Sequence, residues 1–182
     1  MELVALLERL SRVLVNDAHA HGLKPTQWEA LRFLARANRF SRTPSALTLY
    51  LGTTKGTVSQ TVSALERKGL LAKETDPSDR RAVNLSLTKE GRQLLRKDPL
   101  GKLSKICDEL PAAEQAAAAN ALRALLRGTL EARGRTPFGE CATCRHFRPD
   151  VPQGAPHWCG LLEVSLSKRD AAQICTENED AA

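Results

Sequence analysis

Four cysteines near the end of this 182-residue chain have the spacing of a metal site. Cys141-Ala142-Thr143-Cys144 is followed by Cys159 and Cys175, which reads C-x2-C-x14-C-x15-C. A close pair fixes two thiolates on one turn, and the two single cysteines close a tetrahedron, so the pattern suits one zinc ion or one iron–sulfur cluster. One metal centre per chain is expected. Zinc ribbons usually show two C-x2-C pairs and this segment shows one, so zinc and cluster both stay open, with reversible disulfides as the alternative. The surrounding segment is poor in apolar residues, chiefly Phe138, Phe147, Trp158, Leu161, Leu162 and Ile174. A fold so small ordinarily needs a metal or disulfides. His146 and His157 adjoin the cysteines and could replace one ligand, although supporting roles are expected. Cys107 stands apart on a helical stripe and reads as a small buried apolar residue.

A second set of residues could hold nucleic acid. In the run from Thr54 to Lys68, Val58, Val62 and Leu65 share one side of a helix, while Gly56, Ser59, Gln60, Ser63 and Arg67 lie roughly opposite and Lys55 flanks them. A merely solvated helix would carry more Glu and Lys. Gln pairs with adenine, Ser and Thr reach bases or phosphates, and Gly56 removes a side chain where two backbones meet. Further on, Asp76-Pro77-Ser78-Asp79-Arg80-Arg81 separates two short strand-like runs. Arginines at such a tip suit a narrow, strongly negative minor groove.

The elements that must position these residues follow from local signals. Residues 2–20 place Leu3, Leu6, Leu7, Leu10, Val13 and Leu14 at helical spacing. Thr26 with Glu29 reads as a capping box for a second helix. Thr43-Pro44 opens a short third helix that closes at Gly52, and Thr53 or Thr54 starts the next one at once, which is helix-turn-helix spacing. Leu70 to Thr75 and Ala82 to Thr88 then form a hairpin, in which Val83, Leu85 and Leu87 alternate with Asn84 and Ser86. Thr88 caps a long helix through about residue 109, and Pro111 opens a last one to about Arg133. The expected fold is mainly α with a small β-wing: a dimerisation helix at 1–22, a winged helix-turn-helix at 23–90, dimerisation helices at 91–135, and a small metal- or cluster-binding tail at 136–182. The outer helices carry more apolar face than one small domain could cover, so a homodimer is expected.

Charge agrees with that division. Residues 1–135 carry 23 Lys and Arg against 14 Asp and Glu, whereas residues 136–182 carry 4 against 7. A basic body favours a polyanion, because each phosphate neutralised releases counterions. No signal peptide and no membrane span is expected, which points to the cytoplasm, where disulfides rarely persist. No Ser/His/Asp or paired-carboxylate arrangement is present, and no βαβ context surrounds the C-x2-C. An enzyme is therefore not expected, and the dithiol or iron–sulfur oxidoreductase reading falls behind.

From about residue 23 to 130 the sequence resembles the MarR family of bacterial transcription factors. The matching residues are Pro25-Thr26-Gln27-Trp28, Ser45-Ala46-Leu47, Leu51 to Ser59, Leu65 to Leu70, and Asp76 to Arg81 followed by Leu87-Thr88-Lys89-Glu90-Gly91. The resemblance implies a dimer built by the first and last core helices, recognition helices in successive major grooves, and wings in the flanking minor grooves. It puts Thr54, Lys55, Gly56, Thr57, Ser59, Gln60 and Ser63 against DNA. Asp79 would orient the arginine of the wing, with Arg80 beside it and Arg81 entering the groove. The operator would be a pseudo-palindromic duplex, the regulator a repressor, and release would follow a small molecule, an oxidant or a metal. The cysteine tail departs from the family's pattern, as does the absence of an N-terminal cysteine. Control is therefore expected in the tail, acting on the last dimer helix through Arg133-Gly134-Arg135. The alternative is a structural zinc tail with a small-molecule effector at the junction of the dimer and DNA-binding regions.

Overall fold

Five apolar residues, Trp28, Ala30, Leu31, Phe33 and Leu34, are buried on α2 (Pro25–Arg36) and make it the centre of the protein. The computed structural model describes residues 2–75, 83–135, 137–151 and 156–179. Ahead of α2 runs α1 (Glu2–Asp17). After it come α3 (Pro44–Leu51), α4 (Lys55–Arg67) and a hairpin of β1 (Leu71–Thr75) with β2 (Val83–Leu87). The strands pair antiparallel from Leu71 opposite Leu87 to Thr75 opposite Val83. Ala46 and Leu47 of α3, Val58, Val62 and Leu65 of α4, Leu71 and Leu85 close over α2. This is a mainly helical winged helix-turn-helix.

Two helix boundaries differ from the sequence reading. Thr26 lies inside α2 rather than capping it. The N-cap is Lys24, whose N–H donates to the Gln27 side chain at 3.0 Å, and Pro25 takes the first helical position. The long helix after Thr88 is in fact two, α5 (Lys89–Leu95) and α6 (Gly101–Asp108). Pro99 has no N–H to continue the helix and disfavours helical geometry at Asp98. Asp98 then finds other partners: it accepts from Leu100 N–H at 2.8 Å and from both Arg32 Nε and Nη2 at 2.7 Å. The break thus pins α5 to α2.

Burial pushes the Asp98 carboxyl up, but the Arg32 hydrogen bonds, the Leu100 N–H and the Arg32 charge together hold it below the ordinary aspartate value of 3.8. A carboxyl depressed on folding adds stability above its unfolded value, and that stability drains away as pH falls through the folded value. Asp98→Asn should therefore lower stability at neutral pH by about 1.5–3 kcal/mol, the range for hydrogen bonds to charged groups. Urea melts of both proteins between pH 7 and 2 provide the check. The two curves should converge on the acid side of 3.8, and a gap that persists unchanged to the lowest pH would contradict the assignment.

α1, α6 and α7 (Ala112–Glu131) have no buried residue. Leu3, Leu6 and Val13 on α1 and Ile106, Leu122 and Leu126 on α6 and α7 remain exposed. Cys107, expected to be buried, is exposed with them, because α6 lays no face on this protomer's core.

The cysteine-rich segment does not stand off as an appendage. β3 (Gly139–Glu140) pairs with β7 (Ile174–Cys175), and β4 (Phe147–Pro149), β5 (His157–Cys159) and β6 (Val164–Leu166) form a three-stranded sheet. A 3-10 turn (Cys141–Thr143) and α8 (Lys168–Ala171) complete it. Ile174 is buried in the core centred on α2, and Phe138 packs edge-on against Phe33 and Tyr50 with ring centres 5.9 and 5.2 Å apart. The few apolar residues of this segment are thus spent on the winged helix as well as on a core of its own.

Candidate nucleic-acid interface and cysteine cluster

The turn between α3 and α4 is built by local capping. Thr43 Oγ1 accepts from Ala46 N–H at 3.1 Å and Pro44 sits in the first turn of α3. Gly52 ends α3 in the left-handed region at φ 60°, which glycine adopts without a Cβ clash. Thr54 Oγ1 then accepts from Thr57 N–H at 3.1 Å and starts α4. Val58, Thr61, Val62 and Leu65 point inward. Thr54, Lys55, Gly56, Thr57, Ser59 and Gln60 are exposed together on the opposite side, whereas Ser63 is half-buried.

Two details refine that face. The hydroxyls of Thr54 and Thr57 lie 3.0 Å apart, so Thr54 serves the start of the helix. Gly56 is the more telling residue. A Cβ there would meet nothing closer than Thr54 Oγ1 at 3.8 Å, so packing within the protomer does not require glycine. Glycine is a poorer helix former than alanine. A residue that weakens the helix and serves no internal contact leaves room for something outside it.

The wing strands are tied to this unit. Lys73 Nζ reaches Glu66 at 2.7 Å, at the end of α4, and Leu85 N–H donates to Arg42 O at 2.7 Å, just before α3. Asp79, Arg80 and Arg81, expected at the wing tip, lie outside the described residues. Arg135, expected only as part of the link from the last helix to the tail, has Nη2 donating to Gly52 O at 3.0 Å and brings a cation to the turn between α3 and α4. A Cβ at Gly52 would collide with that guanidinium.

Of the four tail cysteines, Cys141 and Cys175 are buried and Cys144 and Cys159 half-buried. The β3–β7 pairing brings the Cys141 and Cys175 thiols into hydrogen-bond contact, and Cys159 packs against the same small core. Cys144 leaves the 3-10 turn with extended backbone and is not part of that core. Among the described residues no group of three or more His, Cys, Asp or Glu is arranged to hold a metal ion. The predicted four-ligand set is therefore assembled only in part: strand pairing supplies one pair, while Cys159 and Cys144 arrive on separate elements.

The environment of the pair favours anionic sulfur. Cys175 is drawn down to about 6 by the Cys141 hydrogen bond, against its burial, with help from Asn38, the Glu177 N–H and the Ser41 hydroxyl. Cys141 is pushed far up by the Cys175 hydrogen bond and by burial. Cys159 Sγ accepts from Leu162 N–H at 3.5 Å. His157 Nδ1 is buried without a hydrogen-bond partner among the described residues. Sequence reasoning missed Asn38 and Ser41. In the sequence Asn38 is merely a residue that interrupts a helical pattern, yet both side chains are fully buried.

The helix-turn-helix and the first wing strand fall in the part of the chain with known relatives. Residues 21–82 match the MarR family. The chain is 34% identical over 86 residues to the uncharacterized HTH-type transcriptional regulator YkoM of Bacillus subtilis, covering 46% of this chain and 53% of that protein. It is 31% identical over 91 residues to the transcriptional repressor MprA of Escherichia coli, covering 50% of this chain and 49% of MprA. The chain thus spans about half the length of the curated relatives it matches. In structure it resembles the MepR–DNA complex of S. aureus with a TM-score of 0.55 at 22% identity, over 69% of this chain and 96% of MepR. That likeness concerns the MarR-like fold.

Proposed function

We propose that the chain is a DNA-binding transcription regulator of the MarR type and not an enzyme. The observation that carries this reading is the exposed face of α4, with Gly56 open and Lys55, Thr57, Ser59 and Gln60 around it, inside a MarR-like winged helix. Gln60 and Ser59 would read base edges, Lys55 and Thr57 would hold phosphates, and Arg80 and Arg81 with Asp79 would extend the wing into the minor groove. The uncovered stripes of α1, α6 and α7 support a homodimer, and two-fold symmetry then calls for a pseudo-palindromic operator. MprA's description as a transcriptional repressor and MepR's capture on DNA support repression of a duplex operator.

The four-cysteine tail extends this reading. Its thiols Cys141, Cys144, Cys159 and Cys175 would hold one zinc ion or iron–sulfur cluster per chain, making DNA binding responsive to metal or redox state. N–H and O–H donors already gathered on Cys141, Cys159 and Cys175 favour metal-bound thiolate. A small-molecule effector is the second reading. A cleft of about 260 Å³ between the end of α1 and the α5–α6 break is lined by Asp17, His21, Lys97 and Lys102 among others, near the junction expected for such a ligand.

Selection from a pool of random duplexes tests the central claim. Full-length protein should enrich an inverted repeat whose half-site centres lie about 10 bp, one helical turn, apart. Recovery of unrelated duplexes with no shared sequence would sink it.

A further inference from the structure

Resting on the DNA-binding reading proposed above, we infer that Arg135, brought from beyond α7 to the turn between α3 and α4, is a further contact residue for the phosphate backbone of the bound duplex. It lies outside residues 21–82, which match the MarR family, so the contact is one that this chain adds to the helix-turn-helix.

Two features fix where Arg135 stands. The chain reverses at Gly134 (φ 60°), and Arg135 N–H turns back to donate to Leu130 O at 2.9 Å, which closes α7. Three residues on, Phe138 packs edge-on against Tyr50 of α3 with ring centres 5.2 Å apart. Between these anchors the Arg135 side chain lies over Gly52, with Nη2 donating to Gly52 O at 3.0 Å and Nη1 crowding the position a Cβ would take. Gly52 is two residues ahead of Thr54, the N-cap of α4, and Lys55 and Gly56 open the exposed face of that helix. The guanidinium is therefore held at the edge of the face that would enter the major groove, next to the phosphates that border it.

Charge balance calls for an anion there. Residues 43–65 hold Lys55 and no Asp or Glu. Among the described residues Gly52 O is the one hydrogen-bonding partner of the Arg135 side chain, and no carboxylate pairs with it. A guanidinium carries more N–H donors than one carbonyl can use, and its planar fork matches a phosphate. The contact with Gly52 lies at the surface, where water would satisfy the carbonyl as well. Closing the turn alone would order a long side chain for little gain. Phosphates taken by Arg135 and Lys55 would use both charges and set the register of α4 on the duplex without reading its sequence.

Arg135→Ala and Arg135→Lys are compared with wild-type full-length protein on the enriched duplex and on an unrelated one, across a salt series. In the alanine variant affinity should fall about 10- to 100-fold at roughly 0.1 M salt, and the slope of log K against log salt should flatten by about 1.8, that is about 0.9 for one phosphate per protomer of a dimer. Both duplexes should lose by the same factor, because a phosphate contact carries no base preference. Lysine should restore most of the slope, since it keeps the charge. A fall in affinity with an unchanged slope, or no fall at all, would show that Arg135 only closes the turn. Either result would overturn the inference while leaving the DNA-binding reading intact. Failure of the wild type to enrich any duplex would overturn that reading, and the inference with it. A measurement on wild-type protein covers the case in which the variants do not fold. Phenylglyoxal, which modifies arginine, should label Arg135 in the free protein, and the enriched duplex should slow that labelling severalfold. Equal labelling with and without duplex would overturn the contact.

Discussion

Phe33→Ala should lower the free energy of unfolding by about 3–5 kcal/mol, the usual range for removing a buried aromatic ring. Phe33 has no exposed surface, and its ring stands 4.8 Å from Tyr50 of α3 and 5.9 Å from Phe138 ahead of β3. Tyr50 and Phe138 are themselves 5.2 Å apart, so three elements meet at one aromatic triangle. Truncation loses the transfer free energy of the ring and adds the cost of the cavity it leaves. The cysteine segment should loosen together with the helices, because Phe138 is one of its two apolar anchors in the main core. Denaturant melts measure the first effect, and hydrogen exchange at Glu140 and Cys141 measures the second. A loss under about 1 kcal/mol, typical of surface substitutions, would mean the triangle is not a packed core.

Replacing Arg80 and Arg81 with alanine should weaken binding to the enriched duplex by about 10- to 1,000-fold, since four arginines per dimer at about 1 kcal/mol each reach the upper figure. Its signature is the salt dependence. Each phosphate that the variant no longer neutralises should flatten the slope of log K against log salt by about 0.9. Gln60→Ala should behave differently, relaxing preference at one base pair by about 1–3 kcal/mol with the salt slope nearly unchanged. Fluorescence anisotropy across a salt series distinguishes the two patterns. Unchanged affinity and slope in the double arginine variant would remove the wing from the interface.

The helix-turn-helix was legible residue by residue because its signals are local. Thr43-Pro44, Gly52 and Thr54 each act through backbone groups within four residues, so their meaning does not depend on the rest of the chain. The second wing strand was legible for the same reason, from the alternation of Val83, Leu85 and Leu87 with Asn84 and Ser86, whereas the pairing register is a fact of the folded hairpin. The break at Asp98 was only half legible. Pro99 marks it, but the ion pair that stabilises it joins Asp98 to Arg32, 66 residues away. The cap of α2 was misplaced because Lys24 is a poor capping type and succeeds here through its backbone N–H and Gln27.

By itself, the sequence determined that the chain contains a winged helix with an open reading face, and that four thiols cluster near its end in a metal-like spacing. Those are statements about neighbours along the chain and about residue chemistry. Only the tertiary structure decided where the thiols stand. Asn38 meets Cys141 across 103 residues and Ser41 meets Thr176 across 135, and no periodicity or spacing reports contacts at that separation. They arise because Ile174 and Phe138 are apolar residues in a segment too small to bury them, and the core centred on α2 is where they find cover. Hydrophobic burial therefore placed the cysteines against the connection that starts α3.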